Sequence, residues 1–390
     1  MQAHYASRVT ALSESITIAI STLARELKSQ GKDILSFSAG EPDFDTPQVV
    51  KDAAIQAINE GFTKYTAVAG IPELLSAISA KLKRDNNLEY STKEIIVNSG
   101  AKHSLFNVFQ ALIDKDDEVI IPSPYWVTYP ELVTFSNGKN VFIQTTQENN
   151  FKITKEQLQS AITPKTKMLV LTTPSNPTGM VYSKTELEEI ASVLKGTNIW
   201  LLSDEIYEKL VYDGVFVSPA SIGQDMLERT ITINGLSKAV AMTGWRMGYL
   251  ASKDQKLCKL INGFQSQSLS NINSITQKAA ILGLNGSADK EIEMMRQAFK
   301  QRRDFACEKL NAIRGLRVSK PDGAFYLFAN CAEICKDSMQ FCKDLLENAG
   351  VAVVPGIGFG MDGYFRFSFA TDLKSIEVGI QRIKDYCEKL

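Results

Sequence analysis

The chain has 390 residues, long for a single hydrophobic core, so two domains are expected. Hydrophobic residues make up 44% and charged residues 22%, ordinary proportions for a soluble globular protein, and no apolar run reaches the roughly 18 residues of a membrane helix. With 43 basic against 44 acidic residues the formal net charge is −1, which offers no electrostatic footing for nucleic acid or an anionic membrane surface.

Taken in order, residues 1–8 are polar and carry no signal-peptide apolar core, so a cytoplasmic setting is expected. Residues 14–30 have a helical pattern that stops at Gly31, a C-terminal glycine. A short strand at 34–37 runs into the turn-rich Ala39-Gly40-Glu41-Pro42-Asp43-Phe44-Asp45-Thr46-Pro47. Helices are predicted near 48–60 and 73–86, and the loop between them, 64–70, presents Tyr65.

From 94 to 252 the pattern changes. Short β-branched runs recur at 95–98, 118–121, 141–145, 168–172, 199–203, 230–233 and 247–251. Helical stretches at 101–113, 126–136, 154–162 and 184–195 separate many of them. This alternation predicts an α/β fold with a mostly parallel sheet covered by helices on both faces. Beyond 252, helices are predicted at 254–268, 274–284 and 288–311, the last bridging to a smaller region. That region mixes strands at 325–329, 351–354 and 364–369 with helices at 338–348 and 374–388. The expected organisation is a large α/β domain over 46–290 and a small α+β domain built from both chain ends, 1–45 and 291–390.

Cys258, Cys307, Cys331, Cys335, Cys342 and Cys387 form no CxxC pair, so reduced buried thiols are expected rather than disulfides or zinc. The only histidines are His4 and His103, too few for a histidine triad or a histidine metal site, and no metal is expected. His4 falls in a loose terminus, and His103, beside Lys102, is expected to face solvent. Chemistry must therefore come from lysine, carboxylates, tyrosine or a cofactor.

In an open parallel sheet, ligands bind beyond the carboxyl ends of the strands. After 95–98 comes Ser99-Gly100-Ala101-Lys102, small residues opening a helix whose free N–H groups and dipole favour an anion. After 118–121 comes the aromatic pair Tyr125-Trp126, and after 168–172 comes Asn176-Pro177-Thr178-Gly179. Asp204 and Tyr207 follow 199–203, and the loop Gly235-Leu236-Ser237-Lys238 follows 230–233, with Arg246 eight residues beyond Lys238. Singly, each has an ordinary reading: a capping Asp204, a turn at Asn176, core packing for Trp126, a solvated Lys238. Together they supply what pyridoxal 5′-phosphate requires. A pyridinium nitrogen needs a carboxylate, an aldehyde needs a lysine amine for a Schiff base, and a phosphate needs a helix N-terminus and an arginine fork.

The motifs Ala39-Gly-Glu-Pro-Asp-Phe-Asp-Thr-Pro47, Ser237-Lys-Ala-Val-Ala-Met-Thr-Gly-Trp-Arg246 and Tyr364-Phe-Arg-Phe-Ser368 span essentially the whole chain. By them it resembles a class I aminotransferase of PLP-dependent fold type I, most like the bacterial aspartate aminotransferases that carry AMTGWR. The resemblance implies a seven-stranded sheet and a homodimer with shared active sites. It implies Lys238 as Schiff-base lysine and proton shuttle, Asp204 at the ring nitrogen, and Asn176 and Tyr207 at the ring hydroxyl. Trp126 would stack on the ring. Gly100, Ala101, Ser237 and Arg246 would surround the phosphate, with Tyr65 reaching in from a second copy. Arg366 would hold the substrate α-carboxylate, helped by Gly40 and Asn176. Thr17 and Lys102 resemble the residues that read a side-chain carboxylate, which favours aspartate and glutamate as amino donors. Relatives that also use prephenate place a basic residue where Ser13 stands. Aromatic or alanine aminotransferases are the alternatives on this fold. A non-catalytic PLP-binding regulator is the alternative from another class, although the chain has no spare DNA-binding module.

Overall fold

The computed structural model describes residues 5–390, so His4 lies outside the described residues. Thirteen strands occur among them: β1 (Leu35–Ser36), β2 (Ile95–Asn98), β3 (Glu118–Ser123), β4 (Lys139–Gln144), β5 (Thr166–Thr172), β6 (Trp200–Asp204), β7 (Thr230–Gly235), β8 (Gly248–Ala251), β9 (Arg317–Val318), β10 (Tyr326–Asn330), β11 (Val351–Ala352), β12 (Val354–Pro355) and β13 (Tyr364–Ser368). Seven of them form one sheet in the order β2-β8-β7-β6-β5-β3-β4. The pairs β3–β4, β3–β5, β5–β6 and β6–β7 are parallel, while β8 runs antiparallel to both β7 and β2. The mostly parallel seven-stranded sheet expected from the sequence is therefore present.

The strands are apolar on both faces because helices cover both. Val119, Ile121, Met168 and Val170 pack with Leu105, Val108 and Phe109 of helix Ala101–Leu112. The alternate residues Ile120, Leu169 and Leu171 pack instead with Leu187, Ile190 and Leu194 of helix Lys184–Leu194. Each such side chain taken fully out of water contributes about 1.5–3 kcal/mol. The strict alternation is what a pleat of period two imposes, so the register of the strand ends is fixed by these contacts. The helix predicted from 154 starts one residue later, at Lys155, because Thr154 is its N-cap, and the helix predicted from 184 starts there behind the N-cap Ser183, each cap reciprocated by the glutamine or glutamate three residues on. Helix Ile16–Ser29 ends as expected, with Gly31 in the left-handed region and Lys32 N–H returning to Leu27 O.

Other expectations need correction. The strand predicted at 34–37 is only two residues long and pairs in parallel with Val351–Ala352, outside the large sheet. The strand predicted at 351–354 splits at Val353, its two halves joining different sheets. The helix predicted from 126 starts at Thr128, which leaves Trp126 free ahead of the first turn. The short helix Gln224–Arg229 and strand β9 have no counterpart among the predicted elements. A four-stranded sheet, β12-β13-β10-β9, carries Arg366 on β13. No described helix is long and apolar enough to cross a membrane. The six cysteines are free, four of them buried, and no metal-ligating cluster occurs among the described residues.

Beside the carboxyl end of β6, Glu205 is fully buried. Its Oε1 accepts from Ser203 Oγ at 2.9 Å and Ser218 Oγ at 2.7 Å, while Oε2 has no partner among the described residues. Burial, with Glu208 nearby, pushes this carboxyl up to about 8. Its folded value thus exceeds its unfolded value, so the folded state keeps a proton that the unfolded chain has released as pH rises through this window. The group's contribution to stability falls as pH climbs towards 8. Glu205→Gln removes the titration. Its melting temperature relative to the parent chain is expected to improve steadily between pH 5 and pH 8.5, and an offset independent of pH would contradict a neutral Glu205.

Candidate active site

The carboxyl ends of β2, β3, β5, β6 and β7 open onto a cleft of about 530 Å³. Thr17, Gly40, Ala101, Lys102, Trp126, Asn176, Asp204, Tyr207, Ser237, Lys238, Arg246 and Arg366 all line it. Gly100 lies directly behind Arg246. Tyr65 does not reach the cleft of its own chain; it is 91% exposed. His103 does not simply face solvent as expected: it is half-buried, and its Nδ1 accepts from Ser99 N–H at 3.2 Å.

Lys238 projects from the loop after β7 and donates from Nζ to Gly40 O. Tyr207 and Phe325 flank the ammonium, each ring centroid 6.0 Å away. Burial, then the positive charges of Arg366 and Arg246, pull its pKa down to about 8 against the opposing pull of Glu41 and Asp204. Asp204 ends β6. Burial pushes its carboxyl up to about 6, although Tyr129 and the Ile206 N–H hydrogen-bond to it and Lys238 attracts it. An amine and a carboxyl whose affinities for a proton have been drawn together in this way suit proton transfer near neutral pH.

The opposite wall is built around Arg366. Its Nη1 donates to Asn176 Oδ1 at 2.9 Å and its Nη2 to Ser38 O at 2.8 Å. The guanidinium lies over the rings of Tyr326 and Phe359, at 4.4 and 5.1 Å. Its Nε is buried without a partner. A buried guanidinium with an unused N–H is a ready receptor for a carboxylate. Tyr207 and Tyr326 share a hydrogen bond of 2.9 Å between their hydroxyls.

At the far end, helix Ala101–Leu112 begins at Gly100 with no side-chain cap, so its first N–H groups remain available to an anion. Gly100 has φ +82°, and a Cβ there would come within 2.6 Å of Arg246 Nη2. Glycine is what allows the guanidinium to approach the helix N-terminus. A side chain at Gly248 would overlap the Gly100 and Ala101 backbone, so β8 can press against the helix start only as glycine. Arg246 itself has φ +57°, and Nη1 bonds to Thr243 O at 3.1 Å, which turns the fork back towards the helix.

Lys102 lies 4.9 Å from the Trp126 ring, and no carboxylate pairs with it among the described residues. Burial and the nearby Arg246 lower its pKa. Thr17 lines the same cleft, and its Oγ1 is buried without a partner. The donor set therefore fits pyridoxal 5′-phosphate: an uncapped helix start with an arginine, an aromatic plate, an amide, a phenol, a carboxylate and an amine. The unpartnered Arg366 Nε and Thr17 Oγ1 call for a polar ligand.

Several residues in the cleft escape a reading of the sequence. Tyr129 and Thr172 surround Asp204, Ser38 and Tyr326 hold Arg366, and Ser21 bonds Ser38 at 2.9 Å. Tyr129 lies three residues beyond Trp126, a helical spacing that is the one local signal for it. Tyr326 and Ser38 have no local signal, since only the folded chain brings them to Arg366.

The family described as aminotransferase class I and II matches residues 32–383. An aspartate aminotransferase of Bacillus subtilis (strain 168) is 48% identical over 390 residues, covering 98% of this chain and 99% of that one. A probable aspartate/prephenate aminotransferase of Rhizobium leguminosarum bv. phaseoli is 45% identical over 397 residues, covering 99% of each. Among solved structures, the aspartate aminotransferase of Rhizobium meliloti superimposes with a TM-score of 0.96 at 43% identity, over 100% of both chains. That of Thermus thermophilus with maleate gives 0.95 at 42% identity, over 98% of this chain and 100% of the other. Their family implies pyridoxal 5′-phosphate as the cofactor, and the chain belongs to it: this is a class I and II aminotransferase with the fold type I architecture.

Proposed function

We propose that the chain moves the amino group of L-aspartate to 2-oxoglutarate, giving oxaloacetate and L-glutamate, by a ping-pong transamination. One observation carries the substrate: Lys102 stands without a carboxylate partner in a cleft also lined by Thr17, whose Oγ1 is unpartnered. A neutral side chain would leave that ammonium, exposed to the open cleft, unpaired, which disfavours neutral substrates. A relative at 42% identity is solved with maleate, a four-carbon dicarboxylate, and relatives at 48% identity are named aspartate aminotransferases.

When bound, the cofactor supplies an aldehyde for amine exchange and a ring that accepts electrons from the substrate Cα. Lys238 would hold it covalently and, once freed by the incoming amino acid, would serve as the amine that takes the Cα proton and returns one on the cofactor side. Asp204 would pair with the ring nitrogen and favour its protonated form. Asn176 spends its carbonyl on Arg366, so its Nδ2 is left for the ring hydroxyl, with Tyr207 beside it. Trp126, which lines the cleft, would stack on the ring. Gly100, Ala101, Ser237 and Arg246 would take the phosphate, and Tyr65 of a second copy would complete its site. Arg366 binds the α-carboxylate, with the Gly40 backbone and Asn176. A side chain on Gly40 would meet the Tyr326 hydroxyl at 3.2 Å, so glycine keeps this wall open.

The same reading divides the chain into a large domain over 46–290 and a small one from 1–45 and 291–390, the segment around Thr17 acting as a lid. It assembles two copies into a homodimer in the cytoplasm. In favour of the dimer, Tyr65, Ile55 and Ile58 are exposed, and Ile55, Ile58 and Trp245 line a surface hollow next to Ser99 and Arg246. Prephenate is a second candidate acceptor, since relatives at 45% identity are named for it. Against it, Ser13 supplies no cation, and its N–H bonds to Glu131 Oε2 at 2.9 Å, which brings an acid to that position.

Lys238→Ala is expected to bind the cofactor without a covalent link and to lose at least a thousandfold in turnover, on the order of what loss of a nucleophile and general base together removes. Denaturing mass spectrometry after borohydride reduction, read beside steady-state rates, checks both, and full activity would refute the mechanism. For Lys102→Ala, kcat/KM should fall about 10- to 100-fold more for L-aspartate than for L-alanine or L-phenylalanine, the scale of one charge-assisted contact. Equal losses on all three would remove Lys102 from substrate reading.

A further inference from the structure

Tyr129 touches Asp204, yet no part of the proposed chemistry uses it. It sits in helix Thr128–Phe135 and is buried. Its hydroxyl meets two oxygens, Asp204 Oδ2 at 2.7 Å and Thr172 Oγ1 at 2.6 Å. Thr172 and Asp204 stand opposite each other in register where β5 and β6 end, so one phenol bridges two neighbouring strand ends. Its ring meets Trp126 edge to face, centroids 5.5 Å apart at 84°.

A phenol has one proton to give, and an ionised carboxylate only accepts. While Asp204 is charged, Tyr129 must donate to it. The Tyr129 oxygen must then accept from the Thr172 hydroxyl. If Asp204 held the proton, the chain could run the other way, from Asp204 through Tyr129 to Thr172. The sense of the chain is thus coupled to the charge on Asp204. Accepting from Thr172 polarises the phenol and strengthens its donation. The other groups facing Asp204 are the Ile206 N–H, at 3.3 Å from Oδ1, and the Lys238 ammonium. Neither replaces the short bond to Oδ2: the first is long, and Lys238 must become neutral to act.

We propose that Tyr129, backed by Thr172, is a positioning residue that holds Asp204 ionised and aimed at the cofactor's ring nitrogen. The inference rests on the ring-nitrogen role given to Asp204 above. Through Asp204 the pair keeps the ring protonated. A positive ring lowers the proton affinity of the nitrogen that joins Lys238 to the cofactor. Arg366, Arg246 and Glu41 also act on Lys238, but none of them touches Tyr129 or Thr172 by a hydrogen bond.

The test is a pH titration of the visible absorbance of the cofactor bound to Lys238, at saturating cofactor, in Tyr129→Phe, Thr172→Val, the double variant and Asp204→Asn. Tyr129→Phe should raise the midpoint by about one pH unit, the size of one charge-assisted hydrogen bond. Thr172→Val should raise it less, and the double variant should match Tyr129→Phe, because the two act in series. A lower melting temperature with an unmoved midpoint would reduce Tyr129 to packing and overturn the proposal. If Asp204→Asn moves the midpoint and Tyr129→Phe does not, the role of Asp204 stands and the role of Tyr129 falls. If neither moves it, the ring-nitrogen role of Asp204 falls as well.

Discussion

A carboxylate taken out of water is costly unless hydrogen bonds replace its hydration, and Asp204 at the end of β6 is such a carboxylate. Its environment answers that cost group by group. Tyr129 donates to one oxygen, the Ile206 N–H lies against the other, and the Lys238 ammonium attracts the charge. Each of these can be there only because neighbouring strands end together. Thr172 and Asp204 are in register on β5 and β6, and Ile233 pairs with Asp204 on β7, five residues before Lys238. The parallel sheet thus places an acid and a base on adjacent strand ends, and burial draws their proton affinities together, to about 6 and about 8.

The same cleft gathers positive charges from separate parts of the fold. Arg246 closes on the helix start through the space left at Gly100, while Arg366 comes from β13 in another sheet and is steadied by Asn176 and Ser38. Lys102 lines the same cleft without a carboxylate partner among the described residues. Glycines at 40, 100 and 248 matter here for what they lack, since a side chain at any of them would press on Tyr326, Arg246 or the helix start.

Much of this is legible in the sequence because the fold is locally consistent. The β-branched runs and capped helices repeat at the right spacing, and an α/β sheet gathers the loops after its parallel strands along one edge. Lys238, Asp204, Asn176 and Trp126 therefore stand out as strand-end residues from their place in the chain alone. The strands at the chain ends are less clear: 34–37 and 351–354 are short, and which sheet they join depends on distant partners. The support around the site is also hidden. Ser38 and Tyr326 meet Arg366 from far along the chain, and an isolated Tyr129 reads as ordinary core. His103 reads as solvated because nothing local marks its bond to Ser99.

Central to the proposed function is that Lys238 would carry the cofactor in a cleft that would select acidic amino acids. The most direct measurement tracks the visible absorbance of the purified holoenzyme while single amino acids are added without an acceptor. L-Aspartate and L-glutamate should bleach the band at far lower concentrations than L-alanine or L-phenylalanine, with one oxo acid released per site. Equal bleaching by neutral and acidic amino acids, or a band that no amino acid alters, would contradict it.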